Sequence, residues 1–104
     1  MKRIAILLVL VVFTFAVQAD DAAALYTAKC KMCHGASGAG DTPMGKKLAL
    51  KALGSPEVQK KTDADFINVI AKGSGKMPAF AGKISDAQIK ELVAVIRGFA
   101  KKGS

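Results

Sequence analysis

Residues 30–34 read CKMCH (Cys30-Lys31-Met32-Cys33-His34), and this pentapeptide holds both cysteines and the only histidine of the 104-residue chain. On a helix, positions three and four apart lie on one side, so Cys30, Cys33 and His34 present their side chains in broadly one direction. Two thiols and an imidazole so placed can together meet a flat object that has two attachment points and a central metal. The residues leading into the motif read as a helix: Asp20 and Asp21 suit a helix start, and "AAALYTAKCKMC" (residues 22–33) continues it.

Working outward from the motif, the pattern is helical throughout, with no alternating run long enough to suggest a sheet. "GASGAGDTP" (residues 35–43) is a loop, because glycine and proline supply four of its positions and Ser, Asp and Thr add turn chemistry. A short helix is expected over "MGKKLALKAL" (residues 44–53), ended by Gly54-Ser55-Pro56. Thr62 and Asp63 open a helix over "ADFINVIAK" with Phe66, Ile67 and Ile70 on one face and Gly73 as its stop. "GSGKMPAF" (residues 73–80) is again a loop. The last helix carries the plainest pattern: Ser85 and Gln88 form a capping box, and Ile89, Leu92, Val93, Ile96 and Phe99 or Ala100 recur at helical spacing. The expected fold class is all-α.

Residues 1–19 have the form of a cleaved export signal. Lys2 and Arg3 make a basic start, residues 4–17 are apolar apart from Thr14, and "VQA" (residues 17–19) puts small residues where a signal peptidase cuts. The apolar stretch is shorter than the roughly 20 residues a membrane-spanning helix needs. The domain proper is then residues 20–104. Without Lys2 and Arg3 the sixteen basic residues become fourteen against eight acidic, a net charge of +6. So small a domain buries a modest fraction of its surface and commonly adds a staple. Its aromatics are only Tyr26, Phe66, Phe80 and Phe99. Something besides side chains is expected to fill the core.

Haem meets the geometric demand of the motif. Its two vinyl groups accept thiols as thioethers, an imidazole from the same helix reaches iron, and Cys-x-x-Cys-His reads as covalent c-type haem attachment. Three other uses fit less well. A thioredoxin-like dithiol wants a strand leading into the motif within a βαβ unit. A Cys30–Cys33 disulfide would close a loop too short to constrain much. A zinc site wants four ligands, and the chain offers two thiols and one imidazole.

These residues resemble the class I cytochromes c, particularly the small bacterial monohaem proteins, over nearly all of residues 20–104. Tyr26 stands four before Cys30, where the family carries an aromatic; "GSGKMPAF" is similar to its Met-Pro ligand loop and "SDAQIKELVAVIRGF" to its C-terminal helix. The resemblance implies three to five helices round one haem, with the first and last crossing. It implies Cys30 and Cys33 as the thioether positions, His34 as the proximal ligand and Met77 as the second axial ligand. A thioether in a short Gly-rich loop ahead of Pro78 suits that role, and His/Met ligation is an established arrangement. Met44 is the rival sulfur, although its place at a helix start suits an apolar contact. Pro43 matches the family proline whose carbonyl accepts the proximal histidine's N–H, a contact that fixes ring orientation. Two positions depart from the family: Ala22 replaces the usual glycine of the crossing, and Val95 replaces an aromatic on the last helix. A larger residue facing a smaller one can conserve volume, so the crossing is expected to survive. Asn68 acquires no role from either line of reasoning.

Iron held by His34 and Met77 has no open position for substrate, which suits outer-sphere electron transfer. The expected function is a soluble periplasmic electron carrier, a monomer and not an enzyme. The alternatives are a redox subunit of a larger respiratory complex, or a haem peroxidase or gas-binding protein if Met77 dissociates, with Arg97 as the remaining guanidinium. Lys29, Lys31, Lys46, Lys47, Lys51, Lys72, Lys76 and Lys83 neighbour the motif or the methionine loop. A positive ring of this kind steers a protein to partners with acidic docking surfaces, such as a membrane oxidase or reductase. Solvated lysines that maintain solubility are the plain alternative. Nucleic acid is a poor partner, since the chain is expected to be exported and lacks interleaved aromatics for stacking. No stable membrane insertion is expected after cleavage.

Overall fold

In a computed structural model, which describes Val9 and residues 19–100, the chain forms six helical segments. They are α1 (Ala19–Lys29), α2 (Lys31–His34), α3 (Pro43–Lys47), α4 (Pro56–Gln59), α5 (Asp63–Lys72) and α6 (Asp86–Phe99). Three have ten residues or more, and three are about a single turn. Among the described residues there is no strand, only the isolated bridges Ser74–Met77 and Ala81–Ile84. The proposed export signal at residues 1–19 lies outside the described residues except for Val9 and Ala19.

The helix through the motif is broken at Cys30, where φ widens to −114°. Its hydrogen bonds nevertheless carry across: Cys30 N–H donates to the Tyr26 carbonyl at 2.8 Å, and the Cys30 carbonyl accepts from His34 N–H at 3.0 Å. The break is a kink of one residue, so Cys30, Cys33 and His34 keep their common side.

The helix expected over residues 44–53 is shorter and begins one residue earlier. Thr42 caps it, its hydroxyl accepting from Gly45 N–H at 2.9 Å, and Pro43 occupies the first position, where its missing N–H costs nothing. It ends because Ala49 turns left-handed, at φ 53°. That turn directs Leu50 and Leu53 inward, and Leu53 N–H donates to the Gly38 carbonyl at 2.8 Å. Ser55-Pro56, read from sequence only as a terminator, also starts α4, with Ser55 as cap and Pro56 at the first position.

The two later helices follow their expected bounds. Thr62 and Asp65 form a capping box on α5, and Ser85 and Gln88 form one on α6. α1 and α6 make the most extensive helix contact, followed by α5 with α6. Tyr26 of α1 meets Phe99 of α6 edge to face, with ring centroids 5.1 Å apart. Around them Phe66, Ile70, Phe80, Ile89, Leu92, Val93 and Ile96 complete the core. All four expected aromatics are buried. Ala22, in place of glycine, is 1% exposed, and Val95 packs half-buried against the core.

Candidate haem site

Two cavities of about 460 and 380 Å³ adjoin the motif, and both are lined by Cys30, His34, Leu50 and Met77. The larger runs toward Val58, Phe66, Leu92 and Ile96; the smaller runs toward Cys33, Leu48 and the loop 74–78. The structure thus brings together Cys30, Cys33, His34 and Met77. Met44 lines neither cavity and is 40% exposed on α3, so the geometry separates the two candidate sulfurs.

The attachment turn is held by three bonds to its carbonyls. Thr42 Oγ1 donates to the Cys33 carbonyl at 2.8 Å, Gly40 N–H to the His34 carbonyl at 2.7 Å, and the Tyr26 hydroxyl to the Gly35 carbonyl at 2.7 Å. These satisfy the carbonyls that a helix end leaves without partners. Burial, followed by the nearby Cys30 and Asp41, pushes the Tyr26 hydroxyl well above its ordinary value, which keeps it a donor. Gly45 is required by the close approach of α3: a Cβ there would stand 2.5 Å from the carbonyl oxygens of both Cys33 and Gly40.

Met77 is placed by a tight turn. Ser74 and Met77 exchange N–H···O bonds at 3.1 and 2.8 Å, with Gly75 at φ 56° between them. The loop is then strapped to the end of α5, where Phe80 and Ala81 donate to the carbonyls of Ile70 and Ala71, each at 3.0 Å. Gly73 makes the entry possible, since a Cβ there would meet the Met77 carbonyl at 2.6 Å.

The electrostatics separate the possible chemistries. Burial, then the neighbouring Cys33, pushes the Cys30 thiol up to about 11. A redox dithiol needs a lowered thiol pKa, so this environment is the wrong one for a nucleophile. Burial lowers the pKa of His34 and keeps the imidazole neutral, the form that binds metal. Its Nδ1 is buried with no hydrogen-bond partner. The Pro43 carbonyl does not take this proton in the structure: Pro43 is exposed at the start of α3, and its expected contact with His34 is not formed. A neutral imidazole, two free thiols and a thioether lining the smaller, largely apolar cavity fit a covalently attached haem.

Several lining residues carry no motif and escaped sequence reasoning. Leu50 and Leu53 belong to the segment expected to be helical, and Val58 lies on the unforeseen α4. Asn68 lines the larger cavity beside Val69. Arg97, the one guanidinium available to a peroxidase reading, is bonded to Gln59, Lys61 and Asp63 and does not line either cavity.

Comparison with known proteins gives the family. Residues 17–96 match the family described as "Cytochrome C oxidase, cbb3-type, subunit III". Cytochrome c6 of Leptolyngbya boryana is 37% identical over 86 residues, spanning 80% of this chain and 98% of that protein. Cytochrome c6 of Thermosynechococcus vestitus is 30% identical over 100 residues, spanning 96% and 87%. A c-type cytochrome of known structure superposes with a TM-score of 0.70 at 35% identity, covering 75% of this chain and 95% of its own. With an all-helical fold and a thiol–imidazole–thioether site round one cavity, the chain belongs to the c-type cytochromes, has their class I fold, carries covalently attached haem c and serves electron transport.

Proposed function

We propose that the chain is a soluble, periplasmic one-electron carrier. In this reading Cys30 and Cys33 would hold the haem as thioethers, and His34 and Met77 would bind its iron. The observation that carries it is that His34 and Met77 line the same pair of cavities as Cys30, each on a segment tied down by backbone bonds. The haem supplies a one-electron Fe(II)/Fe(III) couple. Burial keeps the His34 imidazole neutral and ready to bind, while the strapped loop 73–80 presents a sulfur that needs no deprotonation. The largely apolar lining would limit how much solvent reorganises when charge changes. With His34 and Met77 both holding the iron, no position would be left for a substrate. We assign the Pro43 carbonyl as the acceptor for His34 Nδ1 when the haem is bound.

The visible spectrum of the mature protein in both oxidation states tests the reading. A low-spin spectrum with the signature of sulfur ligation is expected, and high-spin or bis-nitrogen ligation would overturn it. Replacing Cys30 and Cys33 with alanine should abolish covalent haem and leave a largely unfolded chain, because so small a domain buries too little surface without the haem.

One observation favours a second reading. The matching family is described as an oxidase subunit, which suits a redox subunit held permanently in a larger complex. Among the described residues no helix is long and apolar enough to cross a membrane. Co-purification of the native protein with a stable partner would decide for the subunit, and isolation as a free monomer for the carrier.

A further inference from the structure

Arg97 lies on α6 with its guanidinium carbon 4.6 Å from the centroid of the Phe66 ring, and Phe66 is a buried residue lining the larger cavity. The guanidinium is fixed from several sides. Nε donates to Asp63 Oδ1 at 2.9 Å, Nη1 to the Gln59 carbonyl at 2.6 Å and to Gln59 Oε1 at 3.3 Å, and Nη2 to the Lys61 carbonyl at 2.6 Å. Its only anionic partner is more open to water: the Arg97 side chain is 32% exposed and that of Asp63 68%. The positive charge therefore sits deeper than the negative one, stacked on an aromatic ring that lines the larger cavity.

We propose that Arg97 tunes the haem potential electrostatically, acting through Phe66 as a permanent cation one ring outside the cavity. This rests on the haem occupying the space lined by His34 and Met77. Oxidation adds one positive charge to that space, and a fixed cation facing it across low-dielectric packing opposes the addition. Arg97 thus favours the reduced form and raises the reduction potential. Asp63, screened by water, offsets only part of this.

The rival role is a staple that ties the 59–63 segment to α6, and three variants separate the two. R97M removes charge and bonds and should lower the midpoint potential, changing the Fe(III)/Fe(II) ratio at a fixed potential severalfold. R97K keeps the charge but loses the planar fork, so its potential should stay near wild type while its thermal midpoint falls. D63N removes the exposed counter-charge but keeps an oxygen acceptor, and should raise the potential at low salt, with the rise fading as salt screens it. A fall as large in R97K as in R97M, or a D63N variant whose low-salt potential is unmoved or lowered, overturns the proposal. Asp63 is exposed, so D63N folds even if the Arg97 variants do not. Failure of the ligand assignment would show separately, in the wild-type spectrum.

Discussion

The Thr42 hydroxyl accepts from Gly45 N–H and donates to the Cys33 carbonyl, so a single side chain joins α3 to the attachment turn. Thr42→Val keeps the shape and removes both bonds. Loss of a cap alone costs about 1 kcal/mol, and a part-buried Cys33 carbonyl left without a donor adds to it. Thr42→Ser should restore most of the loss, which thermal unfolding of the haem-loaded protein would measure. Gly45→Ala tests the same junction by overpacking. Its new methyl would meet two backbone oxygens at 2.5 Å, and neither can turn aside as a side-chain tip could. Overpacking costs typically about 1–3 kcal/mol, and in a domain of this size each kilocalorie lowers the melting temperature by roughly 4–8 °C. At the proposed second ligand, Met77→Ala should lower the potential and let added cyanide or carbon monoxide bind quickly, because it removes the thioether lining the cavity. Met44→Ala, changing a side chain outside both cavities, should leave the spectrum unaltered. Sulfur ligation that survives Met77→Ala and vanishes in Met44→Ala would reverse the assignment.

At the scale of elements, the two capping boxes mark the helices whose bounds could be read in advance. Ser85→Ala removes the acceptor for Gln88 N–H and should cost about 1 kcal/mol, measured as a lower thermal midpoint with an unchanged spectrum. α5 and α6 were legible because a cap, an apolar stripe and, for α5, a terminal glycine all agree. Their hydrogen bonds are local, so local sequence determines them. The segment from Leu48 to Gln59 was not legible in this way. "LALKAL" has helical spacing, but its leucines are needed as cavity lining and as core. The left-handed turn at Ala49 that directs them inward follows from tertiary demand, since alanine has no preference for that conformation. Ser55-Pro56 can end one helix or begin another, and only the length of the following turn distinguishes these uses. The site divides along the same line. Cys30, Cys33, His34 and Met77 are chemically distinctive residues that sequence could single out. Leu50, Val58 and Asn68 are common types whose role depends on which residues face one another across the cavity. The contact between Pro43 and Nδ1 of His34, implied by resemblance, depends on a fit between loop and ring and is not formed in the structure.

For the molecule as a whole, the excess of positive charge is the property most directly tied to how it meets a partner. The lysines named from sequence are all exposed, including Lys31 inside the attachment motif and Lys76 at the edge of the smaller cavity. Lys51 is partly neutralised by its ion pair with Glu57, so it contributes less than its position suggests. Met32, 76% exposed between the two cysteines, adds an apolar side chain next to Lys31. If these lysines share a face, it would suit transient docking onto an acidic surface, where charge sets the encounter rate and contact area stays small. The Debye length shrinks from about 30 Å at 0.01 M salt to about 10 Å at 0.1 M, so electron exchange with an acidic membrane oxidase or reductase should slow steeply over that range. Lys31→Glu and Lys76→Glu should slow it further at low salt while leaving the haem spectrum intact, because rim charges act mainly on association. The two variants should converge toward wild type as salt rises. A permanent subunit would show little dependence on salt in either form, since its partner need not be found anew for each electron. Stopped-flow exchange rates at several ionic strengths decide between these outcomes. A salt-independent rate with both charge reversals silent would remove the basic face from the docking mechanism and leave the exposed Met32 as the side chain to test next.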